Sequence, residues 1–242
     1  MRATVAFFLL VTVGPCWAAE ATITDGDTLL LNGQSYRLDG VNAPETDQAC
    51  LDEKGGVWPC GIEAREQLKK FVGKRDVRCD GKQFDTVYRK RRIGMCWVEG
   101  ETLSLNQWLV VSGWAVNREP YAKKRFKADE DDARDNARGL WKGCFAPPQS
   151  ARRGSKSTTP LLGAACNRDE AKVRGLLFPV DLAMPAGCSI KGKLAVRAQI
   201  TEHRGIYHLE GCRSYGRTKR PDRWFCSEDE AQAEGFRKSF TC

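Results

Sequence analysis

The apolar and polar positions change period along the chain, and the changes outline its elements. Residues 22–31 are rich in Thr, Ile and Leu, as a strand is. Asn32-Gly33 follows, a pair that accepts the positive φ of both central positions of a type I′ hairpin turn. Residues 34–38 then alternate and return as a second strand. Over 61–72, Ala64, Leu68, Phe71 and Val72 share one helical face, and Gly73 ends the run. Strands are predicted at 76–79 and 93–98, with the basic run YRKRR (88–92) between them. A second helix is predicted over 103–112, with Leu105, Trp108 and Leu109 inward and Gly113 as its stop. A third, over 121–138, is heavily charged and capped by Gly139, after which Leu140 and Trp141 return to the core. Short strands followed by three helices predict a small closed barrel with packed helices, an α+β fold.

Residues 146–160 (APPQSARRGSKSTTP) lose all periodicity and have the composition of a linker. A second unit of roughly 166–242 follows, too small for a large core. The expected organisation is therefore a leader at 1–18, a first domain at 19–146, a linker at 147–165 and a small Cys-rich basic domain at 166–242. The leader is read from Arg2, an apolar stretch over 3–13 that is too short to span a bilayer, and small residues around Ala18. It predicts a secreted or periplasmic protein. No later apolar run reaches the roughly 18 residues a membrane span needs, so no stable membrane insertion is expected.

The chain of 242 residues holds 11 cysteines, and removing Cys16 with the leader leaves an even number. In an exported chain that reads as disulfides. Proximity suggests Cys50 with Cys60 and Cys79 with Cys96, and less strongly Cys212 with Cys226. The alternative is a zinc site among Cys166, Cys188, Cys212, Cys226 and Cys242, but no CxxC pair is present. The formal net charge of +8 favours polyanionic partners.

The densest chemistry lies in DGDTLLLNGQSYRLDGVNAPET, which gathers Asp25, Asp27, Arg37, Asp39 and Glu45 in one β-rich stretch. Separately each has an ordinary explanation: Asp25 and Asp27 as turn residues around Gly26, Arg37 as a strand-surface charge, Glu45 as a loop acid. Together they match what phosphodiester hydrolysis requires: a divalent cation, a group that positions or deprotonates water, and cationic donors for the charge developing on phosphorus.

ITDGDTLLL, YRLDGVNAPET, LNQWLVVSGWA and ARGLW resemble the staphylococcal-nuclease-like, or thermonuclease, family over about 21–145. That resemblance implies an OB-fold, a five-stranded β-barrel with three helices, and an endonuclease that hydrolyses DNA and/or RNA, typically with Ca2+. It implies Asp27 as the main carboxylate ligand, Asp25 as its supporting acid, Asn42 and the Ala43 carbonyl as further metal ligands, Glu45 as the general base and Arg37 as a phosphate-binding arginine. Asn42 stands where the family has an acid, which removes one charge from the metal site. The family's second arginine falls on Arg91 if the strand over 93–96 sets the register, and on Arg89 if the count runs from Asp85; the strand favours Arg91. Tyr121, Lys123 and Lys124 lie where the family contacts the nucleotide, although Tyr at a helix start more often serves packing.

The last unit resembles a small module that follows some secreted nuclease domains, through its YHLEG and RWFCSEDEAQAEG segments. There His208 near Cys212 reads as a structural histidine beside a disulfide. The run 213–224 mixes Arg, Lys and aromatic residues suited to stacking and phosphate contact. Ser227 with Glu230 reads as a capping box. The sequence thus predicts an exported, monomeric, calcium-dependent nuclease. The alternative is a catalytically weakened nuclease fold that binds nucleic acid or cell-envelope polyanion without cleavage.

Overall fold

A computed structural model describes residues 20–242 except 82, 87, 120, 154–157, 168, 180–183, 185 and 196–202. The leader, Cys16 included, lies outside the described residues.

The DGDT segment breaks the first predicted strand in two. β1 (Ala21–Asp25) and β2 (Thr28–Leu31) pair antiparallel around Gly26-Asp27, with Asp25 opposite Thr28. The glycine is required there, because a Cβ on Gly26 would lie 2.7 Å from the Ala43 Cβ. β3 (Gln34–Leu38) returns from β2 through Asn32 (φ 51) and Gly33 (φ 75), as a type I′ turn demands. After β4 (Val41–Asn42), β5 (Cys50–Leu51) and β6 (Val57–Trp58) comes helix α1 (Cys60–Val72), one residue longer than expected. β7 (Val77–Cys79), β8 (Gln83–Phe84), β9 (Arg92–Gly94) and β10 (Cys96–Val98) follow, the last two split at Met95.

These strands form an α+β domain but not the closed five-stranded barrel expected. The main sheet runs β1-β2-β3-β9-β8, while β10-β7 and β4 with β11 (Val116–Asn117) are separate two-stranded ribbons. The Asn106 side chain occupies the gap between them. It accepts from the Cys96 N–H (3.1 Å) and donates to the Asp39 (2.9 Å) and Gly94 (3.2 Å) carbonyls, so a buried amide bonds backbone groups of both β9 and β10.

Helix α2 (Leu105–Val111) is capped by Ser104 and buries Leu105 and Leu109 against Leu29, Leu38, Leu68 and Val98. Helix α3 spans Lys127–Asp135, well inside the 121–138 predicted. Lys123 and Lys124 adopt positive φ (46 and 65), which a continuing right-handed helix cannot contain. Trp141 packs edge-on against Phe145 in a second core cluster with Leu140.

The stretch 147–165 contains helix α4 (Pro148–Arg153), and Phe145 exchanges backbone bonds with Leu162. Helix α5 (Glu170–Leu177) places Val173 and Leu177 against Leu51 and Ala146 of the first domain. Beyond it, β12 (Ile190–Leu194), β13 (Gly205–His208), β14 (Arg223–Phe225) and β15 (Phe236–Lys238) make a four-stranded sheet in the order β14-β12-β13-β15. Helix α6 (Glu228–Ala233) covers it, and Ile190, Tyr207, Phe225, Ala231 and Phe236 form a small core of their own.

Five disulfides join Cys50–Cys60, Cys79–Cys96, Cys144–Cys166, Cys188–Cys226 and Cys212–Cys242. The first two are the pairs that proximity suggested. Cys212 with Cys226 is corrected: the sheet carries Cys226 beside Cys188, and the chain terminus reaches Cys212 instead. All five candidate zinc cysteines are thereby spent in disulfides.

Candidate active site

The site starts at the β1–β2 turn. Asp27 lies in that turn, and Thr28 next to it pairs with Arg37 across β2 and β3. The register sets the Arg37 guanidinium on the Asp27 carboxylate as a two-pronged pair, Nη1 to Oδ1 at 2.7 Å and Nη2 to Oδ2 at 2.9 Å. Arg37 Nη2 also donates to Asn42 Oδ1 at 2.8 Å, and the Ala43 N–H donates to Asp27 Oδ2 at 3.0 Å. Asp27 and Asn42 thus turn oxygens toward one cationic nitrogen. Hard oxygens converging on a point of positive charge are what calcium takes as ligands, so the residues present fit such an ion. Asn42 is held from behind, its Nδ2 donating to Gln149 Oε1 of α4 at 2.8 Å.

Asp25 is buried at the end of β1 and accepts from the Gly26 N–H at 2.8 Å. Burial, then Glu234, Asp27 and Glu230, push its pKa well above the ordinary carboxylate value, with Arg223 opposing. One carboxylate oxygen each from Asp25, Glu45 and Glu234 lie within 4.8 Å of one another.

Glu45 sits on the loop after β4, and helix α1 fixes that loop by close approach. A Cβ on Gly61 would fall 1.6 Å from the Glu45 carbonyl oxygen. The Glu45 side chain is 2% exposed and meets Arg223 Nη1 of β14 at 2.5 Å.

Arg91 immediately precedes β9, which runs parallel to β3 with Arg37 beside Ile93. This brings Arg91 to the cavity that Arg37 also lines. Its Nη2 donates to Asp85 Oδ2 at 2.6 Å and its Nη1 to Glu234 Oε1 at 3.2 Å. Asp85 closes the turn that leads to Arg91: its N–H binds the Arg91 carbonyl, and its carboxylate takes the Tyr88 N–H. Arg89 is exposed and lines a different hollow with Phe84 and Thr86, so the structure does not bring it to Arg37.

A cavity of about 330 Å³ opens beside these groups, lined by Arg37, Asn42, Arg91, Arg118, Tyr121 and Arg204 among others. Tyr121 is 60% exposed, with the Arg118 guanidinium 4.3 Å from its ring centre. Lys123 and Lys124 are exposed and do not line this cavity. Asp39 points outward to Arg125 at 3.1 Å. Burial and the neighbouring Arg37 lower the pKa of Arg118. Burial lowers that of Arg204 to about 10, with Glu234 opposing and Arg91 and Arg37 assisting.

Sequence reasoning missed Arg118, Arg204, Arg223, Glu230 and Glu234. Arg223 and Glu230 lie in segments singled out for other reasons, a basic run and a capping box. The cap forms, with the Glu230 N–H on Ser227 Oγ at 3.1 Å, but the Glu230 carboxylate accepts from Cys226 N–H and Thr46 Oγ1 instead of closing the box. In the same unit His208 is half-buried, and burial and Lys191 lower its pKa.

The domain and its cleft define a protein class, a small OB-type nuclease fold with buried carboxylates and arginines at one end of its sheet. The chain belongs to the family of staphylococcal nuclease homologues, whose family model matches residues 35–143. It is also similar to the succinoglycan biosynthesis protein ExoI of Rhizobium meliloti (strain 1021), with 32% identity over 142 residues, 58% of this chain and 73% of that protein. The five disulfides suit an oxidising compartment. Among the described residues no helix is long and apolar enough to cross a membrane.

Proposed function

We propose that the chain is an exported, monomeric nuclease that hydrolyses phosphodiester bonds of DNA and/or RNA with calcium. The observation that carries this reading is the convergence of Asp27, Arg37, Asn42 and Arg91 at one end of the sheet, with Glu45 on the adjoining loop. Asp27, Asn42 and the Ala43 carbonyl would hold the ion, with Asp25 behind them. Calcium bound there would offset the charge of the phosphodiester and polarise it. Arg37 and Arg91 bind the non-bridging oxygens, and their forked donors meet the charge that develops on phosphorus. Glu45 takes a proton from the attacking water. Tyr121 offers a stacking face at the cavity edge, and Lys123 and Arg89 supply diffuse attraction for the backbone. Contacts of this kind read phosphates, so cleavage without sequence preference is expected. The organisation that goes with this reading is a signal peptide at 1–18, the nuclease domain at 19–146, a linker at 147–165 and an accessory domain at 166–242.

The test uses the oxidised protein with single-stranded DNA, in calcium and then in excess chelator. Calcium-dependent cleavage is expected, falling by about 100-fold or more in Glu45→Gln, as for loss of a general base. Salt-sensitive binding without cleavage under any divalent cation would overturn it. That result would favour a second reading, a non-cleaving binder of nucleic acid or envelope polyanion, which the relative named for succinoglycan biosynthesis supports.

A further inference from the structure

We propose that Glu234 occupies the seat of the scissile phosphate, and that the C-terminal sheet with its helix α6 is a built-in competitive inhibitor of the cleft. The assignment rests on the nuclease reading for what the seat normally holds.

Glu234 is 0% exposed although it carries a carboxylate. Its oxygens accept from Thr28 Oγ1 at 3.0 Å, Arg91 Nη1 at 3.2 Å and Arg204 Nη1 at 2.9 Å. Arg91 and Thr28 belong to the first domain, so an anion held by that guanidinium and that hydroxyl sits where a phosphate oxygen would be held, while Arg204 belongs to the C-terminal unit and braces Glu234 from its own side. Burial alone would raise its pKa, but Arg91, Arg204, Arg37 and Arg223 outweigh it and hold Glu234 well below the ordinary range. The group is therefore a fixed negative charge at the arginines of the site.

A second contact acts on the other half of the chemistry. Arg223 lies against Glu45 at 2.5 Å and against Asp47 at 3.0 Å, and the Trp224 N–H binds Asp47 at 2.8 Å. A carboxylate oxygen engaged by a buried guanidinium is occupied and does not face a water. Helix α6 is anchored across the opening from both sides, by Ser35 Oγ donating to the Ala233 carbonyl at 3.2 Å and by Thr46 donating to Glu230. Asp27, Arg37 and Arg91 are each 3% exposed or less with this unit in place.

These contacts are ionic and hydrogen-bonded, so a polyanion can compete with them. The unit that carries them has its own core and the disulfides Cys188–Cys226 and Cys212–Cys242, whereas α5 packs into the first domain. The sheet β12–β15 with helix α6 can thus lift from the cleft as one piece.

The test compares the full-length oxidised protein with Glu234→Gln, which keeps shape and removes the charge. Thermal melting checks that the variant folds. The kcat/KM for single-stranded DNA in calcium is expected to rise about tenfold, the scale of one charged hydrogen bond. In the wild type, hydrogen exchange over 228–238 is expected to quicken when a deoxynucleoside 3′,5′-bisphosphate and calcium are added. Where the wild type cleaves, a variant rate equal to or below it overturns the proposal, and exchange in that segment that slows or stays unchanged overturns it in any case; slowing would mean that the unit closes on substrate and completes the site. Exchange that quickens in a protein without cleavage would uphold the blocked phosphate seat and sink the nuclease reading. Cleavage at equal rates in both proteins would do the reverse.

Discussion

Asn42 shows how much one residue can set. It offers a single carbonyl oxygen where a carboxylate would add a full charge beside Asp27. Asn42→Asp is expected to lower the calcium concentration for half-maximal cleavage about tenfold, roughly 1.4 kcal/mol of binding. A calcium titration of the cleavage rate checks it, and the Gln149 amide can turn its NH2 toward the new carboxylate. Gly61 acts through shape alone. Gly61→Ala drives a methyl into the Glu45 carbonyl and is expected to destabilise the fold by about 3 kcal/mol, the upper range for overpacking. Thermal melting measures that loss, and activity should fall with it because the displaced loop carries the proposed base. Asp27, Arg37, Asn42 and Glu45 were legible because a hairpin and its adjoining loop bring them together within one stretch of sequence. Arg91 was favoured over Arg89 by the strand predicted over 93–96, and the β3–β9 pairing sets Arg91 at the cavity that Arg37 also lines.

At the scale of elements, helix α6 ties pH to stability. Burial raises the pKa of Glu230 to about 7 from 4.5, against hydrogen bonds from Thr46 and Cys226 and the charges of Arg223 and Arg65. Its folded pKa lies above its unfolded one, so the folded state holds the proton more tightly. Stability from this group is fully present below about pH 4.5 and is lost as pH rises toward 7, by at most about 3 kcal/mol. Glu230→Gln is expected to flatten the fall, so that the gap in melting temperature between variant and wild type widens in the variant's favour from pH 5 to pH 8. The elements themselves were legible wherever apolar spacing was clear, as in α1 and α2. Helix α3 came out shorter than its charge pattern suggested, because two lysines with positive φ interrupt the chain before it. The barrel came out open, with β10-β7 and β11-β4 as separate ribbons, an arrangement that no local pattern encodes.

For the whole molecule, the disulfides and the net charge matter most. Cys212→Ser with Cys242→Ser releases a loop with a sequence separation of 30 and is expected to cost about 3–4 kcal/mol, seen as a lower melting temperature. If the C-terminal unit blocks the cleft, the same variant should also cleave faster under conditions where the first domain remains folded. Binding of single-stranded DNA in chelator should weaken with salt, with a log–log slope near −2 if Arg37, Arg91 and Arg118 each meet a phosphate, at roughly −0.7 per contact. Fluorescence anisotropy across a salt series measures it, and Arg118→Ala should reduce the slope by about one contact.

The sequence by itself determined the hairpin, the helical faces of α1 and α2, the short-range disulfides and the acids and arginine of DGDTLLLNGQSYRLDGVNAPET. Each of these follows from spacing and residue chemistry within a few turns of chain. Only the tertiary structure decided that the barrel stays open, that Arg91 and Arg37 line one cavity, and that Arg204, Arg223 and Glu234 enter the cleft from the far end of the chain. Thr28 and Glu234 are separated by 206 residues. No local pattern marks such a pair, because the contact exists only where the C-terminal sheet and its helix pack against the first domain.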